Sequence, residues 1–333
     1  MGLREPNYVS QATRDHTMQS INSILVGVDL THADRLVASD LNEQTAEAVE
    51  RAIWVARMFN AKLEFFAAID LSAHTKHLIQ EDKDHLHKNV TDEANAVMQT
   101  LIEQAKAQGV DSSSKVALGP PWREIILEVI KNNHDMVLVG TRPHGFTGRL
   151  FGGTVMNLFR QCPCPVYAVK VDDEPDVPEI VVASDMSEVS TDILNFIVNA
   201  AQVADMKIHL VHAIDTRLDE RLKGLGINEQ TLKKCSEDIL EEVKNELNEQ
   251  LAQTDFRTLS FGVQVHVLEG SPEVAIPEFI AENKVNLLAM GTLARSGLSG
   301  FFIGNTAERM LEKVDCSVLT FKPADFVSPV VPE

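Results

Sequence analysis

The chain reads twice. The segment ILVGVDL (24–30) is echoed by IVVASDM (180–186), and KLEFFAAID (62–70) by KIHLVHAID (207–215). VALGPPWREIILEVIKNNHDMVLVGT (116–141) is echoed by HVLEGSPEVAIPEFIAENKVNLLAMGT (266–292), and GGTVMNLFRQCPCPVYAVK (152–170) by IGNTAERMLEKVDCSVLTFK (303–322). Gly119 pairs with Gly270, Gly140 with Gly291 and Gly153 with Gly304, each at an offset of 151 (270 − 119 = 151). An offset held over that length means one structural unit used twice. The 333 residues therefore divide into two domains of ordinary size. The boundaries fall at 21–171 and 179–323, with a tail at 1–20 and another at 324–333. The stretch VDDEPDVPE (171–179) is acidic and carries Pro175 and Pro178, so residues 172–178 read as a linker.

Within each half, strand and helix patterns alternate. ILVGVDL and DMVLVGT are near-continuously apolar and β-branched, the signature of strands buried on both faces of a parallel sheet. QTAEAVERAIWVARMFN (44–60) places Ala48, Ile53, Val55, Ala56 and Phe59 on one helix face; SEDILEEVKNELNEQLAQ (236–253) does so with Ile239, Val243, Leu247 and Leu251. This rhythm predicts two doubly wound, Rossmann-like α/β domains, each a five-stranded parallel sheet flanked by helices. Ligands of such sheets bind beyond the carboxyl ends of the strands. Asp29, Asp185, Gly140 and Gly291 all fall at that edge. The last strands, PVYAVK and SVLTFK, are expected to lie at sheet edges that would otherwise be exposed.

The halves differ in two places. From Asp29 to Asp70 is 41 residues and from Asp185 to Asp215 is 30, so the first half carries 11 extra (41 − 30), placed within THADRLVASDLNEQ. The segment SAHTKHLIQEDKDHLHKNV holds His74, His77, His85 and His87, absent from its counterpart. Such a cluster could hold a transition metal. Its spacing matches no standard zinc site, and a solvated helix face is the preferred reading. In Cys162-Pro163-Cys164, Cys164 aligns with Cys316 and reads as a small buried residue.

Composition excludes several classes. A net charge of 30 − 49 = −19 argues against nucleic acid or an anionic membrane as partner. No apolar run reaches the length of a membrane span. The first twenty residues lack the apolar core of a signal peptide, and four cysteines suit a reducing cytoplasm. There is no G-x-S-x-G elbow and no Walker lysine after the glycines, so no catalytic constellation stands out.

A first strand ending in Asp, a second ending AID, a third followed by G-x-P, a fourth ending Gly-Thr, a glycine-rich loop and a last strand after CPCPV together resemble the universal stress protein family. The resemblance covers roughly 22–170 and 179–322, in the tandem form, and GNTAERMLEKVDCSVLTFKPADF resembles the E-type tandem branch. It implies a cytoplasmic stress-response protein binding ATP or a related adenine nucleotide, with a divalent metal accompanying it, for a regulatory rather than catalytic role. The alternatives are a scaffold or sensor acting through an unknown protein partner, and a weak ATPase. Single-domain members of the family dimerise through such last-strand edges, so the resemblance implies that PVYAVK and SVLTFK pair within the chain as an intramolecular pseudo-dimer, with a homodimer also open.

The ATP-binding branch of the family carries G-x2-G-x9-G-[ST]. The first half offers Gly140, Pro143, Gly153 and Thr154, the second Gly291, Ala294, Gly304 and Asn305, with Thr306 next. The second glycine is lost in both. Pro143 has no N–H and a fixed φ; Ala294 keeps its N–H and adds only a Cβ. The second half is thus the better candidate. The resemblance puts the N–H groups of Gly291, Ala294 and Gly304 on phosphates, and Asn305 or Thr306 at the helix start. It puts Gly27, Val28 and Asp29, or Ala183, Ser184 and Asp185, near adenine and ribose, with Ala68 and Val139, or Ala213 and Met290, as the apolar wall. For Asp29 and Asp185 the alternative is a strand-end carboxylate capping its own turn.

Overall fold

The computed structural model of the chain describes residues 21–31, 37–38, 40–70, 83–141, 151–171, 175–214, 228–293 and 303–331, with backbone alone at 83–89 and 229. In the first half, β1 (Ser23–Gly27), α1 (Glu43–Phe59), β2 (Lys62–Ile69), α2 (Lys83–Ala107), β3 (Ser112–Leu118), α3 (Pro121–Asn132), β4 (Met136–Gly140), α4 (Gly153–Gln161) and β5 (Val166–Val169) follow one another. The second half runs β6 (Glu179–Ala183), α5 (Glu188–Ala201), β7 (Lys207–Ile214), α6 (Glu229–Ala252), β8 (Val263–Glu269), α7 (Pro272–Glu282), β9 (Leu287–Gly291), α8 (Asn305–Leu311) and β10 (Ser317–Phe321).

Each half is a parallel five-stranded sheet, as the alternation predicts, and the two join into one ten-stranded sheet of order β3-β2-β1-β4-β5-β10-β9-β6-β7-β8. The junction is antiparallel, with Ala168, Tyr167 and Val166 opposite Val318, Leu319 and Thr320. The two last strands thus cover each other's edge, which removes two unpaired backbone ladders from solvent. Because that single junction is antiparallel, the carboxyl edges of the two halves face opposite ends of the sheet.

Side chains alternate across the strands. Ile24, Val26 and Phe65 join one core layer, which continues through Ile180 to Leu319; Leu25, Phe66 and Val137 join the other. Phe65 and Phe66 are both fully buried, on opposite faces, and each contributes about 2–3 kcal/mol of burial. Helix ends follow local chemistry. Asn42 caps α1 by accepting from Thr45 N at 2.9 Å, and Asn60 ends it in the left-handed region at φ 52°. Ser187 caps α5 by accepting from Ser190 N. One residue fixes the start of each domain. Asp135 Oδ2 accepts from the backbone of Asn22 and Ser23, and its twin Asn286 Oδ1 accepts from Glu179 N at 2.9 Å.

The predicted face of α1 is buried at Ala48, Ile53, Val55 and Ala56, with Phe59 half-buried. In α6, Leu247 and Leu251 are buried, but Ile239 is 40% exposed. A repeat of four drifts about 40° per step around a helix, so three steps carry Ile239 about 120° from Leu251.

Candidate functional site

In each half the strand order reverses at the first strand, between β1 and β4 and between β6 and β9, and the predicted residues collect at the carboxyl ends there. In the second half Ala183 ends β6, Ser184 and Asp185 follow it, Met290 and Gly291 end β9, and Ala213 lies near the end of β7. Gly304, Asn305 and Thr306 open α8; the Gly304 N–H donates to Thr292 O at 2.9 Å, which ties the helix start to the end of β9. Asn305 and Thr306 are exposed, while Met290 and Ala213 are buried. Ala294 lies outside the described residues, as do Pro143, His74 and His77. His85 and His87 belong to the first turns of α2.

The two aspartates make the same turn. Asp185 Oδ1 accepts from Ser187 N at 3.1 Å and Ser187 Oγ at 2.5 Å; Asp29 Oδ1 accepts from Thr31 N at 2.9 Å and Thr31 Oγ1 at 2.6 Å. Between Asp185 and α5 the chain passes through Met186 at φ 62°. A side chain in that left-handed region adds about 1 kcal/mol of strain. The Ser184 hydroxyl turns inward. It donates to Gln250 Oε1 at 2.7 Å, and Gln250 Nε2 in turn donates to Ser190 Oγ at 3.0 Å and Thr191 Oγ1 at 2.9 Å. Gln250 was not legible from sequence, since α6 places it there from 66 residues away.

The first-half edge differs. Helix α1 begins 14 residues after Asp29, against 3 between Asp185 and α5, so the 11 extra residues (14 − 3) lie here. Val37 and Ala38 of the insertion are buried, and Ala38 N donates to Leu30 O at 2.9 Å. A Cβ on Gly140 would meet Gln44 O at 2.4 Å, so α1 presses its backbone onto the strand end. Among the described residues a Cβ on Gly291 would meet only Val189 Cγ1, at 3.4 Å. Among the described residues a Cβ on Gly153 would meet nothing within 4 Å and the buried Thr141 Oγ1 has no partner, while Thr154 is half-buried.

Two polar clusters sit at the opposite, amino end of the strands. Glu64, Glu128 and His134 bring their ligand atoms within 4.8 Å of one another. All three are already engaged: His134 Nε2 with Glu64 at 2.8 Å, its Nδ1 with Ser23 Oγ at 2.8 Å, and Glu128 with Lys115 and Asn132. In the second half, His209 bridges Glu179 at 2.7 Å and His266 at 3.0 Å. Burial raises the Glu179 carboxyl, but hydrogen bonds from Lys207 and His209 outweigh it and hold it below its usual range. Burial and the neighbouring His209 push His266 down.

The seam between the halves carries its own chemistry. On one side Phe59 stacks on Phe196 at 5.5 Å, over a cavity of about 570 Å³ lined by Trp54, Met58, Tyr167, Leu319 and the linker prolines. None of the sequence-predicted site residues lines it. On the other side Arg160 meets Glu308 at 2.5 Å. Lys322, just beyond β10, donates to Phe159 O and Thr292 Oγ1 and lies 5.3 Å from the Phe326 ring. Removal from water brings its ammonium down to about 7, against a small opposing pull from Cys162. Among the described residues no helix is long and apolar enough to cross a membrane.

This architecture has close counterparts. The pattern defining the Universal stress protein family matches residues 22–170 and 178–322. Universal stress protein E of Photorhabdus laumondii is 29% identical over 309 residues, covering 89% of this chain and 96% of that one. Universal stress protein E of Escherichia coli K12 is 27% identical over 324 residues, covering 90% and 96%. Among solved structures, a universal stress protein from Archaeoglobus fulgidus superposes with a TM-score of 0.65 at 18% identity, covering 92% of this chain and 99% of that one. A functionally unknown protein from Pseudomonas aeruginosa PAO1 does so with 0.65 at 22%, covering 92% and 94%. With both halves matched and the order of strands conserved through the duplication, the chain belongs to the universal stress protein family, in its tandem form, and its role lies in the stress response.

Proposed function

We propose that the second half binds an adenine nucleotide, ATP or a close relative, in a regulatory and non-catalytic role, and that the first half does not. The observation that carries this reading is the contrast between the two strand-end glycines. Gly140 is explained by packing, because no side chain fits under Gln44. Among the described residues nothing demands Gly291 in the same way, since an added Cβ would make only ordinary contact with them. A glycine that packing does not demand, at the switch point of a parallel sheet, suits close approach of a ligand to the backbone. The Gly304 N–H is committed to Thr292 O, so the phosphate contacts fall to Asn305 and Thr306 at the start of α8. Asp185 is assigned to the ribose hydroxyls, and the buried Met290 and Ala213 to the apolar wall under the base. Any divalent metal would come with the triphosphate.

Calorimetry with ATP, ADP, AMP and cAMP on the full chain tests this. Heat with at least one nucleotide, lost on Asn305→Ala/Thr306→Ala, is expected. Silence with all four overturns the reading and leaves a scaffold or sensor working through a protein partner.

A further inference from the structure

We propose that Cys162 and Cys164 form a peroxide-oxidisable dithiol at the seam between the halves, with Cys162 as the attacking sulfur and Cys164 as the resolving one. The two Sγ atoms lie 3.6 Å apart in the native fold, already in contact across a single proline. Cys162 ends α4 and Cys164 precedes β5, so both are held by elements that pack on the seam. The twin positions in the second half are Val314 and Cys316, so the pair exists only in the first half.

The surroundings separate the two sulfurs. Burial raises the Cys162 thiol, but hydrogen bonds from the Cys164 thiol and its backbone N–H, together with the Lys322 ammonium, bring it below its ordinary value. The Cys164 thiol, which donates that bond and is itself buried, is pushed well up. The thiolate is the nucleophile, and an adjacent cation favours it. Lys322, from the other half, acts on Cys162 through its charge and is steadied by Phe159 O and Thr292 Oγ1. Cys162 is fully buried and Cys164 keeps 9% of its surface exposed, so a small oxidant has to enter past Cys164 to reach Cys162.

The chemistry balances with a hydroperoxide as the co-reactant. The Cys162 thiolate attacks the distal oxygen, the O–O bond breaks, and the departing alkoxide leaves as water or alcohol with one proton. This gives a sulfenic acid on Cys162. The Cys164 thiol then attacks that sulfur, forming the S–S bond and releasing the hydroxyl as water with the Cys164 proton. Two thiols lose two electrons to the peroxide, and an external dithiol reverses the step. Oxidation removes the anion that faces Lys322. Since Lys322 also holds Thr292, whose carbonyl anchors Gly304, the disulfide loosens a contact at the start of α8.

The test uses the full chain with the exposed Cys235 replaced by serine. Native protein is treated with hydrogen peroxide, and the tryptic peptide 161–170 is weighed without reduction. It is expected to become lighter by two hydrogens at near-stoichiometric peroxide and to recover with dithiothreitol. Cys164→Ser should stop at a sulfenic acid on Cys162 that dimedone traps; Cys162→Ser should yield no trapped species at Cys164. Lys322→Met should slow oxidation about tenfold, the effect of about one unit in the thiol pKa, while Lys322→Arg retains the rate. A peptide that stays reduced in native protein but oxidises in urea overturns the proposal. Dimedone capture at Cys164 in preference to Cys162 overturns the assignment. If Lys322→Met fails to fold, the two cysteine variants decide alone. Nucleotide binding does not enter the readout, so this proposal stands or falls apart from the preceding one.

Discussion

The two halves share a sheet order, a register pin at the start of each domain and the same aspartate turn, yet their carboxyl edges are built for different ends. In the first half a long insertion brings buried residues over the edge and sets α1 down on Gly140. In the second, four residues join β6 to α5, Met186 absorbs the strain of so short a turn, and among the described residues only a Val189 methyl faces Gly291. A duplicated domain can thus keep its scaffold while the described residues at its two strand-end glycines pack differently. The scaffold is set by many buried apolar contacts, the edge by a few loop residues.

The largest expected effect breaks this comparison directly. Gly304→Trp should weaken nucleotide binding at least a hundredfold, which is about 2.7 kcal/mol or more, while Gly153→Trp should leave it unchanged. Calorimetry measures both, with circular dichroism as the check on folding. Equal losses from the two variants would mean that the halves act alike and the contrast at their edges is irrelevant to ligand.

Next comes stability at the strand-end glycines. Gly140→Ala places a Cβ against the Gln44 backbone, which cannot swing aside as a side chain would, and should destabilise by about 3 kcal/mol. Gly291→Ala meets one Val189 methyl and should change stability by less than about 1 kcal/mol. Urea titration of each variant reads the difference, which disappears if the close approach of α1 is not real.

Lys322 gives a pH-dependent form of the comparison, because its twin Lys170 instead meets Asp315 at 3.0 Å. The folded value for Lys322, about 7, lies below that of an unfolded lysine. Between the two values the unfolded chain holds the extra proton, so this group's contribution to stability rises with pH from about 7 to about 10 and is at its worst below 7. Lys322→Met should therefore be more stable than the parent by about 2 kcal/mol at pH 6, the figure being reduced for residual solvent screening. The advantage should shrink as pH rises to 9. Parallel denaturation curves at the two pH values for the Lys322 variant would refute the assignment.

Much of this was legible in the repeat itself. The offset of 151 located paired glycines, the strand count followed from apolar runs, the pairing of the last strands from their exposed edges and the family resemblance, and the insertion emerged from counting between aspartates. What sequence could not show were differences between residues that look equivalent. Gly140 and Gly291 align, but only the structure brings Gln44 onto one of them. Lys170 and Lys322 align, but the antiparallel junction sends one to a surface carboxylate and the other toward Cys162. The Ser184–Gln250 network and the Glu64–Glu128–His134 cluster join elements far apart in sequence, and local patterns carry no trace of such contacts.

The smallest effect concerns what holds the halves together. Arg160 and Glu308 meet at 2.5 Å across the seam, but their side chains are 31% and 40% exposed. Water and salt screen such a pair, and ordering two long side chains opposes it, so a double-mutant cycle on Arg160→Ala and Glu308→Ala should return about 0.5 kcal/mol, falling further in high salt. Across the sheet, Phe59 stacks on Phe196, and Phe196 meets the Phe321 ring edge-on at 5.4 Å. These rings exclude water, and truncating Phe196 to alanine removes both contacts together with its share of the core, about 3 kcal/mol. The ratio of the two losses therefore tells which face of the seam carries the join. A coupling energy for the ion pair that matched the aromatic loss would place the join on the α4–α8 face and make it salt-sensitive. The expected result places it on the α1–α5 face, where ionic strength has little hold.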